Sequence, residues 1–490
     1  MRHLVPWAAA VSGAAALIAS CGSNSNAPAG SPDAATFPDA AGSFGSGEDA
    51  TTVPPPSGGD DASAGEAGVG DGAAPDAAAD GGALRPVGGV ALGDGGACAH
   101  ELTNPSCWSA FGTGDLQPKG SFAGGGFDGR YLYLASSGDS TTNDSTRYDT
   151  TADFLAASSW SAFNLSSVNT STASFRGTAF DGRFVYMAPC EAGYSSVLSR
   201  YDTTAAFGAA GSWSNFDMST IDGINPSSDG LCDIGAVFDG RYVYFVPNSI
   251  YEYWRGTVAR YDPQMAFDSA AAWTTFDTLQ LGALAGGFQG AAFDGRYIYF
   301  VPWGDTSTGT PLSIQGAPLI TRYDTMATFT TMASWATFDP SAVTSSNAFI
   351  GAAFDGRYVY FSPGDYRGQA LRYDTQASFA AGASWSSFDM TSLGGGAESA
   401  FLGARFDGRY VYFIPSGGVL ERFDTRGTFG SAASWTRFDL TSLDSRASNF
   451  FGGVFDGRYL YLVPQSSGLV FRFDAEPAGS VPAQSNASFF

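Results

Sequence analysis

The chain has 490 residues, and its 24 Lys and Arg face 47 Asp and Glu for a net charge of −23. That acidic excess excludes the phosphate-neutralising surfaces that nucleic acid and anionic lipid headgroups demand. Its two histidines, His3 and His100, leave no imidazole in the body of the chain for a Ser-His-Asp triad or a His-rich zinc site.

Residues 1–20 begin with Arg2 and His3 and then run apolar to Leu17-Ile18-Ala19-Ser20. The run is short and its side chains are small, which predicts a secretion signal rather than a spanning helix. Ile18-Ala19-Ser20-Cys21 resembles a bacterial lipobox. The resemblance implies that Cys21 becomes a lipidated N-terminus, anchoring the chain without a transmembrane segment. By the same resemblance, the lack of an Asp after Cys21 implies outer-membrane retention. Residues 22–97 are Ala, Gly, Pro, Ser and Asp, with eleven acids against the single base Arg85. Such a composition cannot bury a core, so residues 21–97 are predicted to be a disordered linker. As a flexible coil it reaches roughly 50 Å. Its Pro-Asp-Ala-Ala character resembles the linkers of myxobacterial lipoproteins.

A folded body is predicted over residues 98–474, with a flexible tail at 475–490. Four cysteines follow Cys21. An even number in an exported chain predicts two disulfides, paired here as Cys98–Cys107 and Cys190–Cys232.

Within the body, Phe-Asp-Gly-Arg-Tyr-Val-Tyr-Phe or a close variant occurs seven times, with Asp128, Asp181, Asp239, Asp294, Asp355, Asp407 and Asp456 as its aspartates. Copies lie 49 to 61 residues apart, a spacing that means an array of supersecondary units. Each unit holds four strand-like pieces. In the fifth they are Phe349 to Phe354, Tyr358 to Phe361, Leu371 to Asp374 and Trp385 to Asp389. Asp-Gly makes the turn between the first two. The second piece is apolar at consecutive positions, so both of its faces must be covered. The first is rich in Gly and Ala, as backbones crowded around an axis require. From the Arg of the third piece to the Trp of the fourth is 13 residues in each of six units, from Arg147–Trp160 to Arg422–Trp435. The seventh unit lacks its Trp piece, and Trp108-Ser109-Ala110-Phe111 supplies one from before the first unit. The predicted fold is all-β: a seven-bladed β-propeller of four antiparallel strands per blade, closed by that N-terminal strand.

Asp-Gly-Arg-Tyr-Val-Tyr, Arg-Tyr-Asp and Trp, with Arg260-Tyr261-Asp262-Pro263 the nearest copy, resemble the kelch class of propeller repeats over about residues 108 to 474. Val246-Pro247 stands where the Gly-Gly pair of kelch would lie. The resemblance implies the fold and leaves activity open.

The seven repeated aspartates are expected to shape turns. The Asp of each Arg-Tyr-Asp is expected to cap or to pair with an Arg of its own blade. Length variation falls in the second-to-third loops and in the links between blades, which share one end of the propeller. Variable loops on a rigid scaffold are where binding usually resides. Trp254 and Trp303 are the two Trp outside the frame and the signal, and both lie in such loops on neighbouring blades. Tyr194, Tyr251, Tyr253 and Tyr366 lie in equivalent loops, interspersed with Glu191, Glu252, Asp305 and Asp365. Aromatic platforms beside carboxylates suit sugar rings. The alternative is that these aromatics only pack the loops down.

The expected function is therefore a surface-tethered binding module for a glycan or protein, monomeric, with no catalytic set, metal or cofactor. A second reading is a carbohydrate-active enzyme using non-repeated acids such as Asp233 and Glu398. Asp233 stands where most blades have Phe. A third is an envelope scaffold without a small ligand.

Overall fold

The computed structural model describes residues 89–93, 96–114, 121–137, 144–172, 174–190, 196–224, 232–248, 255–303, 318–394 and 400–475. They form seven antiparallel sheets. Six have four strands, as in blade three: Asp233–Phe238, Val243–Pro247, Thr257–Tyr261 and Trp273–Asp277. Helical structure among the described residues is limited to 3-10 turns of three or four residues. No helix there is long and apolar enough to cross a membrane.

The seventh sheet closes the ring as the repeat count requires. Trp108–Gly112 pairs antiparallel with Leu469–Asp474, with Trp108 opposite Phe473 and Gly112 opposite Leu469. Val90–Ala91 adds a fifth strand outside Trp108–Gly112. That strand has no precedent in the repeat and lies in the stretch expected to be linker. It covers an edge that would otherwise offer free N–H and C=O groups. Both expected disulfides are present, Cys98–Cys107 beside this closure and Cys190–Cys232 at the junction of blades two and three. Stable disulfides belong to an oxidising compartment outside the cytosol.

The inner strands crowd one another. A Cβ on Gly124 of blade one would lie 2.8 Å from the Cα of Gly177 in blade two, and Gly124 has a φ of +83°. Only glycine satisfies both constraints. Each of the seven inner strands also carries a register shift, which bends it around the axis.

Blades are joined by aromatic stacking. The Phe four residues into one fourth strand meets the Trp that opens the next: Phe111–Trp160 at 4.5 Å and 5°, Phe338–Trp385 at 4.2 Å and 3°. Phe438 on Trp108, at 5.9 Å and 30°, completes the circle. In six blades the indole N–H donates to a carbonyl six residues back, for example Trp385 to Phe379 at 2.9 Å. Beside each stack sits the repeated Arg. The Arg322 guanidinium lies 4.2 Å from the Tyr297 ring of its own blade and 4.3 Å from Phe379 of the next. Such contacts contribute about 0.5–2 kcal/mol each, more as water is excluded.

If the N-terminal strand is as integral as the others, Trp108→Ala and Trp385→Ala should destabilise comparably, by about 3–5 kcal/mol in denaturant unfolding. Met326→Ala, at an 82% exposed position, should stay within about 0.5 kcal/mol. A much smaller loss for Trp108 than for Trp385 would remove the first from the ring.

Candidate functional site

The two ends of the propeller differ in chemistry. At one end the repeated acids are fully used by the fold. The Asp355 Oδ1 accepts the Arg357 and Tyr358 N–H groups, and Oδ2 accepts the Tyr360 hydroxyl at 2.7 Å. All seven Asp-Gly turns repeat the Tyr hydroxyl or its equivalent bond. The Arg of each turn pairs with the Asp of Arg-Tyr-Asp in its own blade, as Arg130 with Asp149 at 2.7 Å and Arg183 with Asp202 at 2.6 Å. These guanidiniums hold Asp149 and Asp202 down to about 2. This end has the turn-and-pair roles expected of its acids.

The opposite end gathers the irregular pieces. Trp303 follows Tyr297–Pro302 of blade four, and its N–H donates to the Gly287 carbonyl at 3.0 Å. The indole is half-buried. It packs against an apolar cluster containing Ile234, Ile350 and Phe451, all from inner strands. A Cβ on Gly364 would lie 2.7 Å from its Cζ3, so the ring also reaches the loop of blade five. Asp365 in that loop accepts the Ser346 hydroxyl at 2.8 Å and the Asn347 N–H at 3.0 Å. It ties the loop to the link entering the blade. Its neighbour Tyr366 is 76% exposed. Cys21, Glu191, Tyr194, Tyr251, Glu252, Tyr253, Trp254, Asp305 and Glu398 lie outside the described residues.

Blade three carries a departure from the repeat at this same end. The first residue of the inner strand is Phe122, Phe175, Phe288, Phe349, Phe401 or Phe450 in the other blades, each buried. In blade three it is Asp233, 2% exposed and opposite Pro247. A cavity of about 150 Å³ lies beside it, lined by Asp233, Pro247, Ile224, Arg255, Thr257 and Asp277 among others. The smaller side chain stands where six phenylalanines fill space. Asp233 Oδ2 has no hydrogen-bond partner among the described residues. Burial pushes its carboxyl up to about 7, and the Arg255 charge opposes that rise. The Leu279 N–H donates to Asp277 Oδ1 at 3.0 Å. The Arg255 carbonyl accepts the Gly287 N–H at 2.7 Å, and that of Gly256 accepts the Thr278 N–H at 3.0 Å, so the strand start bearing Arg255 is held in place.

Sequence reasoning singles out Asp233 by its break in the repeat but has no signal for Arg255 or Asp277. Both sit at strand ends whose proximity follows from blade geometry alone. Cys98, His100 and Asp474 also converge, their ligand atoms within 4.8 Å of one another. The Cys98 sulfur is bound to Cys107, so no thiolate is offered, and the His100–Asp474 contact at 3.4 Å braces the closure instead.

Fold and rim together define a seven-bladed β-propeller with one constant and one variable face. No protein-family model and no curated protein matches the chain. Solved structures do. YCF48 bound to D1 peptide is 13% identical, with a TM-score of 0.48 over 76% of this chain and 97% of that one. A chain of the mitotic checkpoint complex is 11% identical, with a TM-score of 0.45 over 75% and 94%. The propeller domain of Cps50 (Swd1) from Myceliophteria thermophila is 8% identical, with a TM-score of 0.46 over 72% and 96%.

A second buried acid shares the character of Asp233. Glu421 in blade six is 4% exposed, and burial pushes it up to about 7 against the pull of Arg437, 3.8 Å away. Both folded-state values stand above those of the unfolded chain. The folded state therefore holds extra protons between about pH 4 and 7, and stability should fall as pH rises through that window. The loss should be on the order of a few kcal/mol. Asp149 and Asp202 act oppositely: their contribution is present above about pH 4 and lost as pH falls through about 2. Thermal unfolding from pH 3 to 9 checks this. Asp233→Asn combined with Glu421→Gln should flatten the alkaline limb and leave the acid limb unchanged.

Proposed function

We propose that this protein is a binding module, tethered to a membrane at its N-terminus, that takes a glycan or protein ligand on its variable-loop face. The observation that carries the reading is the unequal division of irregularity between the two ends. Seven like turns with satisfied acids occupy one end. The loops of unequal length, the Cys190–Cys232 bridge, exposed Tyr366 and the Asp233 cavity occupy the other. A stacked-blade scaffold holds such loops rigidly, which limits the entropy lost on binding.

In this proposal residues 1–20 are the export signal, Cys21 carries the lipid, and the acidic linker over 21–97 lifts a kelch-like propeller off an outer membrane. The two disulfides support export. Trp303 and Tyr366 contribute apolar surface, joined by Trp254, Tyr194, Tyr251 and Tyr253. Glu252, Asp305 and Asp365 supply acceptors around them. Half-burial of Trp303 leaves it a firm edge of the surface instead of a free platform.

A glycan array and an envelope-extract pull-down with the full chain test the face. Trp254→Ala, Trp303→Ala and Tyr366→Ala should each reduce retention at least severalfold. Met326→Ala, on the opposite face, should not. Equal retention by all four variants would sink the assignment. The carbohydrate-active reading draws on the raised carboxyl of Asp233, the property a general acid needs. It predicts polysaccharide hydrolysis that Asp233→Asn abolishes, and an unchanged rate in that variant excludes it.

A further inference from the structure

The cavity in blade three admits a narrower statement, resting on the reading that the variable-loop face is the binding face. We infer that it is a site for a ring-sized polar molecule bearing a protonated amine, held with its ammonium against Asp233. Three observations converge. The repeat is broken at one position only in this set of seven, and the break removes a space-filling phenyl ring and installs an acid. About 150 Å³ results, the size of a cavity that accepts a benzene-sized molecule. The acid is 2% exposed, and its Oδ2 has no hydrogen-bond partner among the described residues.

A carboxyl placed this way is unfavourable for folding unless something compensates it. A repeat that tolerates Phe in six places has a simple remedy available in the seventh and does not use it. The charges facing the cavity favour a cation over a neutral guest. Asp233 from the inner strand and Asp277 from the outer strand outnumber Arg255, two residues before the third strand, for a net of −1 when both acids are ionised. An ammonium donates to Oδ2, and Thr257, also in the lining, offers a hydroxyl to a polar guest. Since Asp233 ionises near neutrality and an α-amino group gives up its proton near pH 8, binding should strengthen as pH rises from 5 to about 7 and weaken again above about 8. Arg255, just before the third strand, and Asp277, on the fourth, shape that titration.

Titration calorimetry of the full chain with glucosamine, leucinamide and glucose tests the site. Glucosamine and leucinamide distinguish a sugar from a peptide terminus as the source of the amine. At least one should bind tenfold or more tightly than glucose at pH 7, where the amine is still protonated. Asp233→Asn should weaken it at least tenfold, and Asp233→Phe, which restores the residue of the other blades, should abolish it while the protein remains folded by circular dichroism. Glucose binding equally well, retention by Asp233→Phe, or no binding of either amine would overturn the inference. If the amines fail while Tyr366→Ala and Trp303→Ala still lower retention on the array, the cavity site falls alone. If an amine binds through Asp233 and those variants retain fully, the broader face is wrong and the cavity stands.

Discussion

Six of the seven blade junctions in this propeller share the same three-part contact. A Phe from one fourth strand lies flat on the Trp of the following blade, and an Arg is clasped between rings of both. Neither blade alone can cover these faces. The second strands, buried on both sides, depend on the same contact: Tyr299 and Val301 of blade four share one apolar cluster with Phe361 and Trp385 of blade five. Stability is then a sum of repeated interfaces, and Trp108 on Phe438 supplies the last of them.

That dependence explains the division of labour between the ends. The Asp-Gly-Arg turns and the Arg-Tyr-Asp strands position the rings and the guanidinium, so they tolerate little change. Asp355, Tyr360, Arg357 and Asp374 form one connected set of bonds that recurs around the axis. The stacked Phe and Trp rings all come from fourth strands, and none comes from the loops at the other end. Those loops can differ in length without disturbing an interface, and blades two and three add a disulfide there. Sequence and length can vary at this end because the fold does not rest on it.

Blade six shows what the interface tolerates. Arg422 lies over Tyr410 at 4.0 Å, but the position six residues before Trp108 is Leu102 where the other copies have a Phe, such as Phe379 at 4.3 Å from Arg322, so Arg422 meets only the Phe473 ring of the next blade, at 6.0 Å. Glu421 and Arg437 pair within this blade, and in its inner strand burial brings the Arg405 guanidinium down to about 9. Blade three differs in kind: its Arg260 is clasped normally, at 4.2 and 4.5 Å, while Asp233 breaks the repeat at the rim and the Trp273 indole lacks the carbonyl bond of the other six.

The seven-fold repeat, the order of strands, the ring closure by Trp108 and the pairing of four cysteines were all legible in the residues, because each reflects a local pattern or a count. Asp233 was visible as a broken repeat for the same reason. Its meaning was not. Whether an acid at that position faces solvent, pairs with a base or borders a cavity depends on side chains from Ile224, Arg255 and Asp277, which only the curvature of the ring brings to one place. The same holds for Trp303, whose half-buried seat against Ile350 is set by the neighbouring blade. Periodicity is written along the chain, while burial is a property of what the chain has folded against.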